Sequence, residues 1–212
     1  MVDDFAETKS ILVCAKGAAR YEALADLFMR HKPSLRIMVE LRLDPRIKAR
    51  VDPSDVLQEA YLEASKRLEE YLGDPKVPFF IWLRGLAGQK LFDAHARHVR
   101  TVKRSVRKEI PLFGKAGLAA SSECMAARLA TRSPTPAAQA EAADEQRRLR
   151  EVLDSLEPTD REILAMRYFE QLSTAQVAQI LGLKLDTARK RYLRAVDRLR
   201  DKLVPRTDVN LE

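Results

Sequence analysis

Apolar residues recur at three- and four-residue steps through most of this chain, the spacing of helices that bury one face. From Tyr21 to Arg30 the apolar positions are Leu24, Leu27 and Phe28. A second helix is expected from Pro33 to about Leu43, with Leu35, Met38, Val39 and Leu43 on one side and the proline in its first turn. Asp52-Pro53-Ser54-Asp55 predicts a helix start: a capping aspartate, proline at the first helical position and an acid in the first turn. The helix that follows has Leu57, Tyr61, Ala64, Leu68 and Leu72 as its buried stripe. A loop, Gly73 to Pro78, leads into a helix whose spacing buries Phe79, Trp82, Leu83 and Leu86 together.

The same periodicity returns after a gap. Thr159-Asp160-Arg161-Glu162, preceded by Pro158, has the capping-box pattern and opens a helix to about Tyr168. Ser173-Thr174-Ala175-Gln176 repeats the device before a short helix with Val177, Ile180 and Leu181. Gly182 then suits a left-handed turn. From Leu185 to Leu203 the chain predicts a long amphipathic helix with Ala188, Tyr192, Ala195, Leu199 and Leu203 inward. Helix, glycine turn, helix is the helix-turn-helix order, whose second helix enters the major groove of DNA. The gap is rich in Ala, Ser, Gly and Pro and reads as a linker, with a transient helix around Glu123 to Leu129. The expected fold is all-α: two small helical domains, 19–111 and 144–204, joined by a flexible linker, 112–143. An N-terminal extension, 1–18, and a C-terminal tail, 205–212, flank them.

Composition narrows the function. In 212 residues, 46% are apolar and 33% charged, with only 7 glycines, a helical profile with enough apolar material for a core. The net charge of +7 favours an acidic polymer as partner. Cys14 and Cys124 stand apart without pair spacing and read as ordinary thiols of a reducing compartment. No apolar run approaches the ~20 residues of a membrane span. Ile11 to Ala15 is too short for a signal-peptide core and follows Asp3 and Asp4 rather than a basic stretch. The expectation is a cytoplasmic protein without membrane insertion. There is no nucleotide loop and no metal-ligand spacing, and His31, His95 and His98 are the only histidines. An enzyme is therefore not expected, nor are catalytic residues, a metal or a cofactor.

Three surfaces carry candidate chemistry. Asp55, Gln58, Glu59 and Leu62 share a second face that mixes acid, amide and a large leucine. From the pattern alone, a solvated helix face with one stray leucine is the favoured reading. After Trp82 the helix turns basic through Lys90, His95, Arg97, His98, Arg100, Lys103 and Arg104, beside an aromatic cluster. That composition suits holding phosphates and stacking an unpaired base, and a solvated basic helix end is the alternative. The outward face of the last helix shows Thr187, Lys190, Arg191 and Arg194, with Arg189 flanking. These types donate to guanine edges or phosphates.

Asp52-Pro53-Ser54-Asp55-Val56-Leu57-Gln58-Glu59 and Phe80-Ile81-Trp82-Leu83-Arg84-Gly85-Leu86-Ala87 resemble the second conserved region of extracytoplasmic-function (ECF) RNA polymerase sigma factors. Leu156 through Leu164, Gly182 and Arg189-Lys190-Arg191 resemble their fourth region, in the same order and at the same separation. The resemblance implies a non-enzymatic promoter-recognition subunit. It implies that Asp55, Gln58, Glu59 and Leu62 dock on the clamp coiled coil of the polymerase β′ subunit, with the β flap as a second contact. It implies that Trp82, Gln89, Lys90, Asp93, Arg97 and Arg100 hold the melted minus-ten strand. Thr187, Arg189, Lys190, Arg191 and Arg194 would meet the minus-thirty-five duplex, and an anti-sigma protein is admitted as a further partner. Lys184, Asp186 and the Asp-Pro-Ser-Asp start depart from the commoner family pattern. The alternative is a helix-turn-helix regulator that acts without being a polymerase subunit.

Overall fold

The computed structural model describes residues 11, 12, 14, 15, 17–44, 47–99, 119–130 and 136–203, and all regular structure among them is helical. The chain divides before Ala119 into two compact units. The expected tail, 205–212, and most of the expected N-terminal extension lie outside the described residues.

In the first unit, α1 (Ala18–Arg42), α2 (Pro53–Gly73) and α3 (Phe79–Val99) pack pairwise on one another. The two helices expected on either side of Pro33 are one, with the proline inside it. Proline there removes the hydrogen bond to the Met29 carbonyl. Both residues lie on the exposed side of the helix. The buried stripe runs in phase across the proline, from Leu24, Leu27 and Phe28 to Leu35, Met38 and Val39, and packing holds the helix straight through.

The start of α2 is as expected. The Ser54 amide donates to Asp52 Oδ1 at 2.6 Å, with Pro53 at the first helical position. That hydrogen bond holds the Asp52 carboxyl below its usual range. Buried on α2 are Val56, Leu57, Ala60, Ala64, Leu68 and Tyr71; Tyr61 and Leu72, expected inward, are half-buried. An aromatic core joins the helices. Phe28 meets Tyr61 edge-on at 5.1 Å, and Tyr71 stacks on Trp82 at 4.4 Å. The Tyr71 hydroxyl donates to the Val77 carbonyl at 2.9 Å, tying the α2–α3 loop to the core.

The second unit begins earlier than its expected boundary. Ser122–Ala130 forms α4, which packs along α5 (Pro136–Asp154). Ala120, Met125 and Ala126 are buried, so this part of the stretch expected as linker is packed structure. A nine-residue helix is marginal alone. Its partners supply the stability: the Ala120 amide donates to Glu162 Oε2 at 3.0 Å and Arg161 Nη1 to Ser122 Oγ at 2.6 Å. The rest of the expected linker, 112–118 and 131–135, lies outside the described residues.

The helix α6 (Pro158–Leu164) continues as a π-helical turn, Ala165–Phe169. The capping box expected at Thr159 is absent. Pro158 takes the first helical position, which moves the cap to Glu157, and Glu162 is engaged with Ala120 instead. The second box forms as expected: the Ser173 amide donates to Gln176 Oε1 at 2.8 Å, and the Gln176 amide to Ser173 Oγ at 3.2 Å. It opens α7 (Thr174–Leu181). Gly182 follows with φ +64°, a left-handed conformation that glycine adopts without strain, and the Leu183 amide closes on the Ala178 carbonyl at 2.8 Å. Helix α8 (Leu185–Leu203) then packs on α5 and α6 through Ala188 and Ala195.

Candidate nucleic-acid and partner interfaces

On α2, Asp55, Gln58, Glu59 and Leu62 fall at steps of three and four residues and share one face. Asp55 and Gln58 are exposed, Glu59 is half-buried, and Leu62 is 52% exposed. A leucine left this open contributes nothing to the core of its own unit. Glu59 is not isolated, however. Both of its carboxylate oxygens accept from Arg97 Nη2 on α3, at 3.0 and 3.2 Å.

One turn later, Glu63 makes a second link between the helices. Its Oε2 lies 3.0 Å from Lys90 Nζ and its Oε1 2.5 Å from Arg67 Nε. The hydrogen bond from Lys90, aided by Arg67, holds the Glu63 carboxyl below its usual range. Two carboxylates one turn apart on α2 thus take two cations two turns apart on α3. Lys90 and Arg97, expected to hold a nucleic-acid strand, are partly neutralised by this ladder.

Of the other residues expected on that surface, Gln89 and Asp93 are exposed and Arg100 lies outside the described residues. Trp82 requires correction. It is only 7% exposed and its ring is stacked on Tyr71, so neither face is open to a base. Its helical position beside Leu83 and Leu86 already pointed to the core. His95, a member of the basic run after Trp82, is also buried, and its Nε2 accepts the Asp44 amide at 3.3 Å.

On α8, Thr187, Arg189, Lys190 and Arg194 are exposed, as a DNA-facing surface needs. Arg191 is different. Its Nη1 lies 2.9 Å from Asp160 Oδ1 and 3.5 Å from Glu157 Oε2, and Arg198 Nη1 reaches Asp160 Oδ2 at 3.6 Å. Asp160 has a 7% exposed side chain. One buried carboxylate on α6 therefore clasps two arginines two turns apart on α8 and fixes the rotation of that helix about its axis. Arg191 is a structural anchor here rather than a free reader. Sequence reading missed Asp160; an acid in the first turn of α6 and two arginines in phase on α8 were the available signal. On the same helix Tyr192 is half-buried beneath Arg167, 5.3 Å from its guanidinium to the ring centre.

Among the described residues, no group of three or more acidic, histidine or cysteine side chains is placed to hold a metal ion. No described helix is long and apolar enough to cross a membrane.

The Sigma-70, region 4 family matches residues 146–199, the helices α5 to α8. The probable RNA polymerase sigma factor RfaY of Xanthomonas campestris pv. campestris is 34% identical over 154 residues, covering 73% of this chain and 34% of that protein. The chain thus spans about a third of the length of that relative. The ECF RNA polymerase sigma factor SigK of Mycobacterium ulcerans is 33% identical over 147 residues, covering 69% of this chain and 70% of SigK. Among solved structures, CnrH in complex with the cytosolic domain of CnrY matches with a TM-score of 0.53 at 19% identity, over 95% of this chain and 97% of that one. At that identity the likeness is one of fold.

Proposed function

Since this chain belongs to the ECF RNA polymerase sigma factors, we propose that it binds core RNA polymerase and directs promoter-specific initiation, with no catalysis of its own. The observation that carries this reading is the reach of the similarity to SigK over 69% of the chain, more than either unit alone provides. A regulator that shared only the helix-turn-helix would match α5 to α8 alone. Asp55, Gln58, Glu59 and Leu62 form the contact to the β′ clamp coiled coil, supported by the exposure of Leu62 beside an acid and an amide. The helix-turn-helix unit sits at the β flap and presents Thr187, Arg189, Lys190 and Arg194 to the minus-thirty-five duplex. The exposed side of α3 around Gln89, Asp93 and Arg97 meets the melted minus-ten strand. Trp82 and Arg191 drop out of the contact set because the fold already occupies them. The work is cytoplasmic, where polymerase and promoter are, and an anti-sigma protein is a further partner of the same surfaces.

A titration of core polymerase with the chain and with its Gln58→Ala, Leu62→Ala double variant tests the docking face. Neither side chain is in the core, so helicity and thermal midpoint stay as in wild type while association weakens. Equal binding by the two proteins would remove the assignment.

A further inference from the structure

Helix α8 meets the rest of its unit through small side chains. Among its described residues only Ala188 and Ala195 are buried, and Tyr192 and Leu199 on the same side are half-buried. A methyl group is a short lever, so a helix seated on two of them meets little resistance to turning about its axis. Turning matters for a helix that reads bases. On a helix about 10–12 Å across, a turn of about 20° carries a side-chain tip about 2 Å. That exceeds the roughly 0.5 Å window of hydrogen-bond length.

The carboxylate of Asp160 supplies the missing restraint. Its Oδ1 accepts from Arg191 Nη1 at 2.9 Å and its Oδ2 lies 3.6 Å from Arg198 Nη1. Arg194 stands three residues after the first of these arginines and four before the second, so it lies between them on the helix surface. Lys190 is the chain neighbour of Arg191. Two exposed cations are thus held in direction by an acid on α6 that is itself buried.

We propose that Asp160 is a positioning residue for base reading: by fixing the rotation of α8 it sets which base edges Lys190 and Arg194 reach, without itself touching DNA. This rests on the minus-thirty-five role proposed above and assigns part of its sequence preference to a residue outside the contact surface. A helix released from the clasp still offers its positive charge to phosphates, which supply sequence-independent affinity. Base contacts need direction and are the ones lost. Preference falls, and general affinity for duplex DNA stays.

The test uses the full chain assembled on core RNA polymerase and a duplex pool randomised over the upstream element. The fragment that wild type enriches most is compared with its single-base substitutions, and the ratio of the two affinities is the readout. Wild type gives a ratio of about five to 150 at positions read by a side chain, the range of one base contact. Asp160→Asn keeps the size of the side chain and removes its charge. The ratio then falls to about three or less at some of these positions, while affinity for a nonspecific duplex stays as in wild type. Arg198→Ala, at a side chain 53% exposed, removes one arm of the clasp and lowers the ratio about two- to fivefold. A lost phosphate contact or a smaller folded fraction scales both affinities alike and leaves the ratio where it was. Wild-type ratios in both variants would overturn the proposal, leaving Asp160 a stabiliser of the fold and the sigma-factor reading intact. Should Asp160→Asn fail to assemble, the ratio of Arg198→Ala decides by itself. Absence of any sequence preference in the wild-type assembly would overturn the proposal together with the reading on which it rests.

Discussion

Arg191 Nη1 lies 2.9 Å from Asp160 Oδ1, a pair separated by 31 positions in the chain that joins the helix-turn-helix's last helix to the helix before the π turn. An arginine on the helix proposed to read DNA here holds that helix in place. Arg191→Ala leaves a buried carboxylate with one weaker partner, Arg198. It should lower the stability of the second unit by about 2 kcal/mol, in the range for hydrogen bonds to charged groups. Lys190→Ala and Arg194→Ala, on the exposed side, should stay within about 0.5 kcal/mol of wild type. Urea unfolding followed by circular dichroism separates the two classes, and equal effects would remove the anchoring role.

Trp82 behaves as core. Trp82→Ala should destabilise the first unit by about 3–5 kcal/mol, the usual loss for a buried aromatic. Near-ultraviolet circular dichroism, dominated by this single tryptophan, should lose its signal along with the cooperative transition. A fully stable Trp82→Ala protein would return the ring to the list of surface residues.

How much of this was legible in the sequence differs from residue to residue. Gly182 and the Ser173 box were readable because each is a local device: a positive φ or two reciprocal hydrogen bonds three residues apart. Pro33 misled because proline was weighed by its local rule, while the apolar register on either side already ran in phase. The cap before α6 was misplaced by one motif overlapping another, with Pro158 overriding Thr159. The stretch around Met125 was hidden by an alanine-rich composition that buries little per residue and depends on Glu162 and Arg161 to dock. Trp82 and Arg191 have the residue types of binding sites; helical spacing already put Trp82 in the core, whereas only tertiary packing shows that Arg191 is occupied. Asp160 and Glu63 act on partners far along the chain, which periodicity does not reveal.

The pH response of the first unit should carry the mark of His31. Burial, and secondarily the charge of Arg30, lower its pKa below 6.5, so the folded state favours the neutral ring. The unfolded chain takes up a proton first as pH falls through 6.5, and stability declines from there toward the lower folded pKa. Above 6.5 the ring is neutral in both states and the contribution is flat. His31→Gln should shallow the loss of urea midpoint between about pH 7.5 and about pH 5.5. An unchanged slope would show that His31 is as solvated as in the unfolded chain. Glu63 acts in a separate window: its lowered pKa contributes stability above 4.5 that is lost only as pH falls below it.

The Glu59–Arg97 link is a surface pair, and its worth should be small. A double-mutant cycle of Glu59→Gln and Arg97→Ala should give a coupling of about 0.2–1 kcal/mol that fades with added salt. A coupling above about 2 kcal/mol would contradict the exposed geometry.

The most direct test of the central claim is reconstituted transcription from a pool of double-stranded promoter fragments with core RNA polymerase, with and without this chain. The account predicts defined transcript starts that appear only when the chain is present. It also predicts that the Gln58→Ala, Leu62→Ala variant and the Lys190→Ala, Arg194→Ala variant each reduce them. Fragments bound by the chain without polymerase, with transcript starts unchanged by its addition, would contradict the account and make the protein an ordinary helix-turn-helix regulator.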